Sequence, residues 1–122
     1  GRVKGWRPLG GGVEFGERAE VAVIREFTEE LGATTRVLRR LGVMENLFQH
    51  QGTAGHEIVF VFEVALDTPG LAEADAFVME DNGYRNNARW VPMADFARGA
   101  EILLPEGLFA LIEGLVPSAP ST

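Results

Sequence analysis

No cysteine occurs anywhere in the 122 residues, so the chain has neither a disulfide framework nor thiol chemistry. That composition is compatible with a reducing cytoplasm. Long apolar runs are missing too. The strongest, Ile58 to Phe62, stops at Glu63 and is far too short to cross a bilayer, and no signal-peptide pattern is visible. The expectation is a soluble, cytoplasmic protein with no membrane partner. Positive charge is scarce, with 11 Lys and Arg against 18 Asp and Glu and a net charge of −7. A general nucleic-acid surface, ordinarily basic, is thereby disfavoured. A nucleotide is not, because a bound metal can invert a local potential. Internal repeats and low-complexity linkers are lacking as well, and 122 residues make one domain, 1–122, with a real core.

What the chain does have is a glycine loop followed by an acidic helix. From Glu17 to Leu31 there is no proline or glycine, and Ala19, Ala22, Val23, Phe27 and Leu31 recur at helical spacing. Gly32 stands where a helix-ending glycine belongs. Glu26, Glu29 and Glu30 lie at i, i+3 and i+4. Their carboxylates therefore share a face, and each like-charge pair costs roughly 0.2 to 0.5 kcal/mol. Arg25 is one offset, but a single cation cannot neutralise three or four acids. A divalent cation can, and hard oxygen ligands on a rigid helix suit Mg²⁺. A charge run is ordinarily a solvated face; the loop ahead of this one shifts the balance, because Gly10, Gly11 and Gly12 let backbone approach a ligand closely.

Read as one pattern, the spacing is Gly11, five residues, Glu17, seven residues, then Arg25-Glu26-Phe27-Thr28-Glu29-Glu30-Leu31-Gly32-Ala33. This resembles the signature of the Nudix hydrolases, G-x5-E-x7-R-E-U-x-E-E-x-G-U with U a bulky apolar residue, and every charged and glycine position is present. Ala33 is smaller than the usual final residue, a departure that touches packing and not chemistry.

The rest of the chain is read in order. Trp6 to Leu9 reads as a short strand interrupted by Pro8. The resemblance implies a longer segment here, with a central strand before the glycine loop, which this chain lacks. An unpaired central edge is an aggregation hazard, so missing residues, around Arg2 to Gly5, are favoured over a truncated fold. Thr35 to Glu45 suggests a bent or bulged strand around Gly42, and Asn46 to Gly55 a polar loop holding His50. Ile58 to Leu66 reads as a strand covered on both faces and central in its sheet. Asp67 to Gly83 is an acidic connection with a short strand at Ala76 to Met79 and a Glu80-Asp81-Asn82-Gly83 turn. Ala88 to Val91 is a further strand, Ala94 to Arg98 one or two helical turns, and Glu106 to Val116 a final helix opened by Pro105. The tail Pro117 to Thr122 reads as disordered. The alternation points to an α/β protein with a mixed β-sheet between helices, in agreement with the α/β/α sandwich that the resemblance implies.

The resemblance also implies an activity: metal-dependent hydrolysis of the pyrophosphate linkage of a nucleoside diphosphate joined to another moiety. By motif position, Glu26, Glu29 and Glu30 would bind Mg²⁺ or Mn²⁺, with the Gly11 carbonyl a further ligand. Glu17 would assist at the edge of the cluster or stabilise the loop; a first-turn glutamate favoured by the helix dipole is the competing reading. Arg25 would orient the glutamates. The general base stays open among Glu29, Glu30, Glu57, Glu80 and Asp81. His50 and His56 read as loop residues, since this hard-metal chemistry does not require imidazole. Phe15, Phe48 and Trp90 are candidates for stacking on a base, although each also reads as a packing residue. The Gln49-His50-Gln51 neighbourhood lacks the markers of the ADP-ribose and dinucleoside polyphosphate subfamilies, which leaves a nucleoside triphosphate or related nucleotide as the small-molecule partner. A homodimer is compatible with the resemblance. The alternative is a Nudix-fold module that senses a nucleotide without hydrolysing it.

Overall fold

A computed structural model of the chain describes residues 5–71, 73–74, 76–81 and 84–113. The element order is α1 (Ala19–Leu31), β1 (Thr35–His50), β2 (Thr53–Leu66), β3 (Ala76–Asp81), β4 (Tyr84–Arg89), α2 (Met93–Ala97) and α3 (Leu108–Glu113). Helices and strands coexist as an α/β composition requires, but among the described residues the strands form two separate two-stranded sheets, β1 with β2 and β3 with β4. Both are antiparallel, so neither is the mixed sheet that was expected. The reason is the connections: β1 joins β2, and β3 joins β4, through two residues each, and such short links allow only antiparallel neighbours. One parallel bridge, Trp6↔Leu103, stands outside the named strands.

The hairpin β1–β2 overturns the polar loop expected from Asn46 to Gly55. Gln51 and Gly52 both take positive φ, 53° and 80°, the two-residue turn whose twist matches paired strands. Strand therefore continues through residues that carry no alternating apolar signal. Most of the described ones are solvent-exposed on this ribbon and need only backbone pairing. Nor is Ile58 to Leu66 covered on both faces: Ile58 and Phe60 are exposed, because a two-stranded sheet has no further strand to bury them.

The described chain divides into two compact units. The first comprises Gly1–Pro8, Arg40–Val61 and Met93–Thr122. Within it Leu108 is fully buried and Leu41 nearly so. Gly42 lies against Leu111, where a Cβ would come within 2.8 Å of a leucine methyl. The Trp6 backbone exchanges hydrogen bonds with Ile102 and Leu104, each 2.8 Å, while its indole N–H donates to Glu101 at 2.8 Å. On the hairpin tip His56 meets Glu45 and Asn46 donates to Glu57, both at 2.8 Å. Phe48 covers the backbone of Gly55, and Arg40 stacks over Phe60 at 5.4 Å, inside the range of a cation–π contact.

The second unit comprises Leu9–Arg39 and Phe62–Pro92. Here α1 packs beside β3, and Ala22, Phe27, Ala33 and Ala88 are buried. Arg36 and Asp67, 2.7 Å apart, clamp the start of β1 to the end of β2, and the Arg36 guanidinium holds the Asp67 carboxyl below its ordinary range. The register of β3 and β4 runs from Ala76↔Arg89 to Asp81↔Tyr84. β4 thus begins four residues before the strand expected at Ala88 and ends at Arg89, ahead of the Trp90-Val91-Pro92 stretch. Proline cannot donate to a ladder, which is why pairing has stopped by then. The Arg2 to Lys4 part of the proposed gap, residues 114–116 of the last helix, and the Pro117 to Thr122 tail lie outside the described residues. No described helix is long and apolar enough to cross a membrane.

Removing buried methyl groups costs transfer energy plus a cavity. Leu108→Ala is therefore expected to lower stability by about 2–5 kcal/mol in urea unfolding. Leu47→Ala, at an exposed position of β1, should stay within about 0.5 kcal/mol of the parent.

Candidate active site

The candidate site lies wholly in the second unit. Glu14 to Glu17 forms a turn closed by the Glu17 N–H on the Glu14 carbonyl at 3.0 Å, and the Glu17 carboxylate accepts the Glu14 N–H in return at 3.0 Å. The helix starts two residues later, at Ala19, behind an extended Arg18 with no side-chain cap. Glu17 is thus a loop residue and not the first-turn glutamate of the competing reading: its carboxylate is already engaged by its own turn. At the other end Gly32 takes φ 65°, a backbone state that side-chain-bearing residues rarely adopt, and the Gly32 and Ala33 N–H groups donate to the Thr28 and Phe27 carbonyls.

Arg25 ties this loop to the helix. Its Nε and Nη2 hold the two Glu17 oxygens in a fork at 2.7 and 2.8 Å, and Nη2 also donates to the Gly12 carbonyl at 2.9 Å. Nη1 donates to Glu26 at 3.0 Å and to Glu29 at 3.2 Å. A guanidinium has five N–H donors, and these contacts occupy all five. The Arg25 hydrogen bond, with help from the Glu14 N–H, pulls the Glu17 carboxyl down from 4.5 to about 2. The same bond raises Arg25 further above its already high value.

Glu26 lies against the backbone of Gly11 so closely that a Cβ there would collide with its carboxylate. Glu30 is buried, 6% exposed. Glu29 is more open, with 57% of its side chain exposed. The candidate metal ligands Gly11, Glu26, Glu29, Glu30 and Glu17 thus all belong to the loop and helix that Arg25 joins. Their chemistry, carboxylates and a carbonyl, is that of Mg²⁺ or Mn²⁺ donors. The Gly11 cradle brings one carbonyl-bearing backbone against one carboxylate. Among the described residues no three acidic or imidazole side chains converge as a metal centre; Glu17, Glu26 and Glu29 are held by Arg25 instead.

Beside this group lies a pocket of about 410 Å³ lined by Glu29 and Glu30 of α1, Val78 of β3 and Arg85 of β4, together with Thr28, Leu31 and Gly32. The volume falls in the range of about 300–1,000 Å³ usual for small-molecule sites.

A sequence profile described as NUDIX domain matches residues 1–110. The chain belongs to the Nudix family. Its members in general hydrolyse nucleoside diphosphates linked to other moieties. No curated protein matches the chain.

The other candidates of this Nudix chain stand outside that loop and helix. Glu57 is in the first unit, bonded to Asn46. Glu80 and Asp81 sit on β3 by backbone, opposite Arg85 and Tyr84; the side chains of both, like that of His50, are outside the described residues. His56 pairs with Glu45 on the hairpin and is not in a loop. Phe15 is fully exposed, Phe48 covers Gly55, and Trp90 donates its indole N–H to the Leu71 carbonyl while meeting Phe77 edge-on. Arg85 was not visible in the sequence as a site residue, since it lies outside the motif and no local signal marks it. Only the packing of β3 beside α1 brings β4 to the pocket.

Because the folded Glu17 value is depressed, its contribution is complete above pH 4.5 and fades as pH falls through about 2. In the metal-free protein the Glu17 carboxyl carbon should titrate by NMR near pH 2, and in Arg25→Met return toward 4.5. Gly11→Ala, which drives a methyl into the Glu26 carboxylate, should cost about 1–3 kcal/mol in denaturant unfolding, as overpacking does.

Proposed function

We propose that the chain is a metal-dependent pyrophosphohydrolase, cleaving the pyrophosphate linkage of a nucleoside triphosphate or related nucleotide. What carries this reading is the Arg25 tie, which gathers Glu17, the Gly12 carbonyl and two glutamates of α1, Glu26 and Glu29, into one group beside a pocket. The reading takes residues 1–122 as one Nudix domain of α/β/α sandwich type, permits a homodimer, and suits a reducing cytoplasm given the cysteine-free composition.

Glu26, Glu29, Glu30 and the Gly11 carbonyl would hold Mg²⁺ or Mn²⁺, with Glu17 at the edge, and the ion supplies neutralisation of phosphate charge and acidification of water. The chain's own residues do the positioning on which phosphoryl transfer depends. Arg25 holds Glu26 and Glu29 in place and pins them to the Gly12 carbonyl. Water attacks a phosphorus of the linkage, the bridging P–O bond breaks, and the proton from water passes to a carboxylate, either Glu29 or Glu30 of the helix or Glu80 on β3. Two phosphorylated products leave.

The test is a panel of nucleoside diphosphate derivatives with Mg²⁺ or Mn²⁺ and product identification. Cleavage at a pyrophosphate bond is expected, falling by about 10²-fold or more in Glu26→Gln, on the scale of lost metal or acid–base assistance. Binding of the panel without any cleavage would replace the enzyme with a nucleotide-sensing module.

A further inference from the structure

The three carboxylates that Arg25 bonds are not held alike. Glu17 takes a fork, one oxygen on Nε at 2.7 Å and the other on Nη2 at 2.8 Å, the short two-point geometry of a strong charge-assisted pair. Its side chain is only 12% exposed. Glu26 offers one oxygen to Nη1 at 3.0 Å and is wedged against the Gly11 backbone, so it has little room to move. Glu29 differs from both. Its two oxygens meet the same nitrogen, Nη1, at 3.3 and 3.2 Å, at or beyond the long end of the usual N–H···O range of about 2.7–3.2 Å. With 57% of the Glu29 side chain exposed, this is the solvated kind of ion pair that contributes little.

Both Glu29 oxygens are thus turned to a group that donates hydrogen bonds and cannot act as a ligand. A divalent cation on those same oxygens would stand beside the guanidinium, like charge against like. Contact with Nη1 and coordination of a metal therefore compete for Glu29. The attraction for a cation is nevertheless in place, because four carboxylates, Glu14 included, lie within 3.8 Å of this one guanidinium.

We propose that Glu29 is a transferable ligand: Nη1 of Arg25 holds it in the metal-free chain and gives it up to a divalent cation, while the Glu17 fork and the Gly12 contact stay closed. The inference rests on the metal-dependent reading and refines it, since the hold of Arg25 on Glu29 then belongs to the metal-free state. The loop stays tied to the helix throughout, because its bonds to Nε and Nη2 are separate from those of Nη1. The N–H set free is not stranded either, with the Glu14 carboxylate 3.8 Å from Nη1.

The test uses the full chain with ¹⁵N-labelled arginine and Mg²⁺ alone, without nucleotide. NMR follows the Arg25 Nη1 and Nε protons, and calorimetry follows the metal. Saturating Mg²⁺ should speed exchange of the Nη1 protons with water by about 10-fold or more, the scale of one lost charged hydrogen bond. The Nε proton on Glu17 should be unchanged. Glu29→Ala, at an exposed helical position, should show the fast Nη1 exchange without metal and bind Mg²⁺ about 10-fold or more weakly, since the number of charged ligands sets affinity. Mg²⁺ binding by the parent with Nη1 exchange unaltered would overturn the inference and leave the metal-dependent reading standing. Release of the Nε proton together with Nη1 would overturn it too, because the whole tie would then open. A parent that binds no Mg²⁺ would remove the metal-dependent reading and this inference with it.

Discussion

The second unit depends on one saturated guanidinium. Arg25 is 23% exposed, and every one of its N–H groups is committed to Glu17, Glu26, Glu29 or the Gly12 carbonyl. Carboxylates at i, i+3 and i+4 on a helix repel one another, and a glycine-rich loop has little side-chain packing to hold it. A single planar cation answers both problems. It attracts two of the glutamates, and its fork onto Glu17 fixes the turn that leads into α1. The strongest sign of the coupling is the Glu17 carboxyl, held at about 2 by that fork.

Other features of the site follow from this tie. With the loop drawn onto the helix, Gly11 lies against Glu26 where no side chain would fit. Glu30 goes inward, while Glu29 stays accessible at the rim of the pocket. An arginine engaged this completely orders the groups it holds.

Much of the fold was legible because its signals are local. The helix announced itself through apolar spacing and a terminal glycine, and it runs to Leu31 as read. Its start moved from Glu17 to Ala19 because Glu17's carboxylate is engaged in its own turn, a competition that helix periodicity cannot register. The hairpin was half missed. Strand continues through Asn46 to Gly55 by backbone pairing across a Gln51-Gly52 turn, and on an exposed two-stranded ribbon that pairing leaves no alternating apolar trace. Ile58 and Phe60 misled in the opposite direction, since β-branched and aromatic residues report strand propensity but not how many neighbours cover the strand.

By itself the sequence determined the family and named the candidates: Gly11, Glu17, Arg25, Glu26, Glu29 and Glu30 stand at fixed spacings along 20 consecutive positions, 11 to 30, and helical geometry then dictates which of them share a face. Tertiary structure decided how those residues are arranged. Which oxygens Arg25 takes, how deeply Glu30 is buried, and that β4 brings Arg85 to the same pocket all depend on contacts between segments dozens of residues apart. The spacing of Arg85 from the glutamates along the chain carries no information about their approach, because the β3–β4 hairpin and its packing beside α1 set that distance in space.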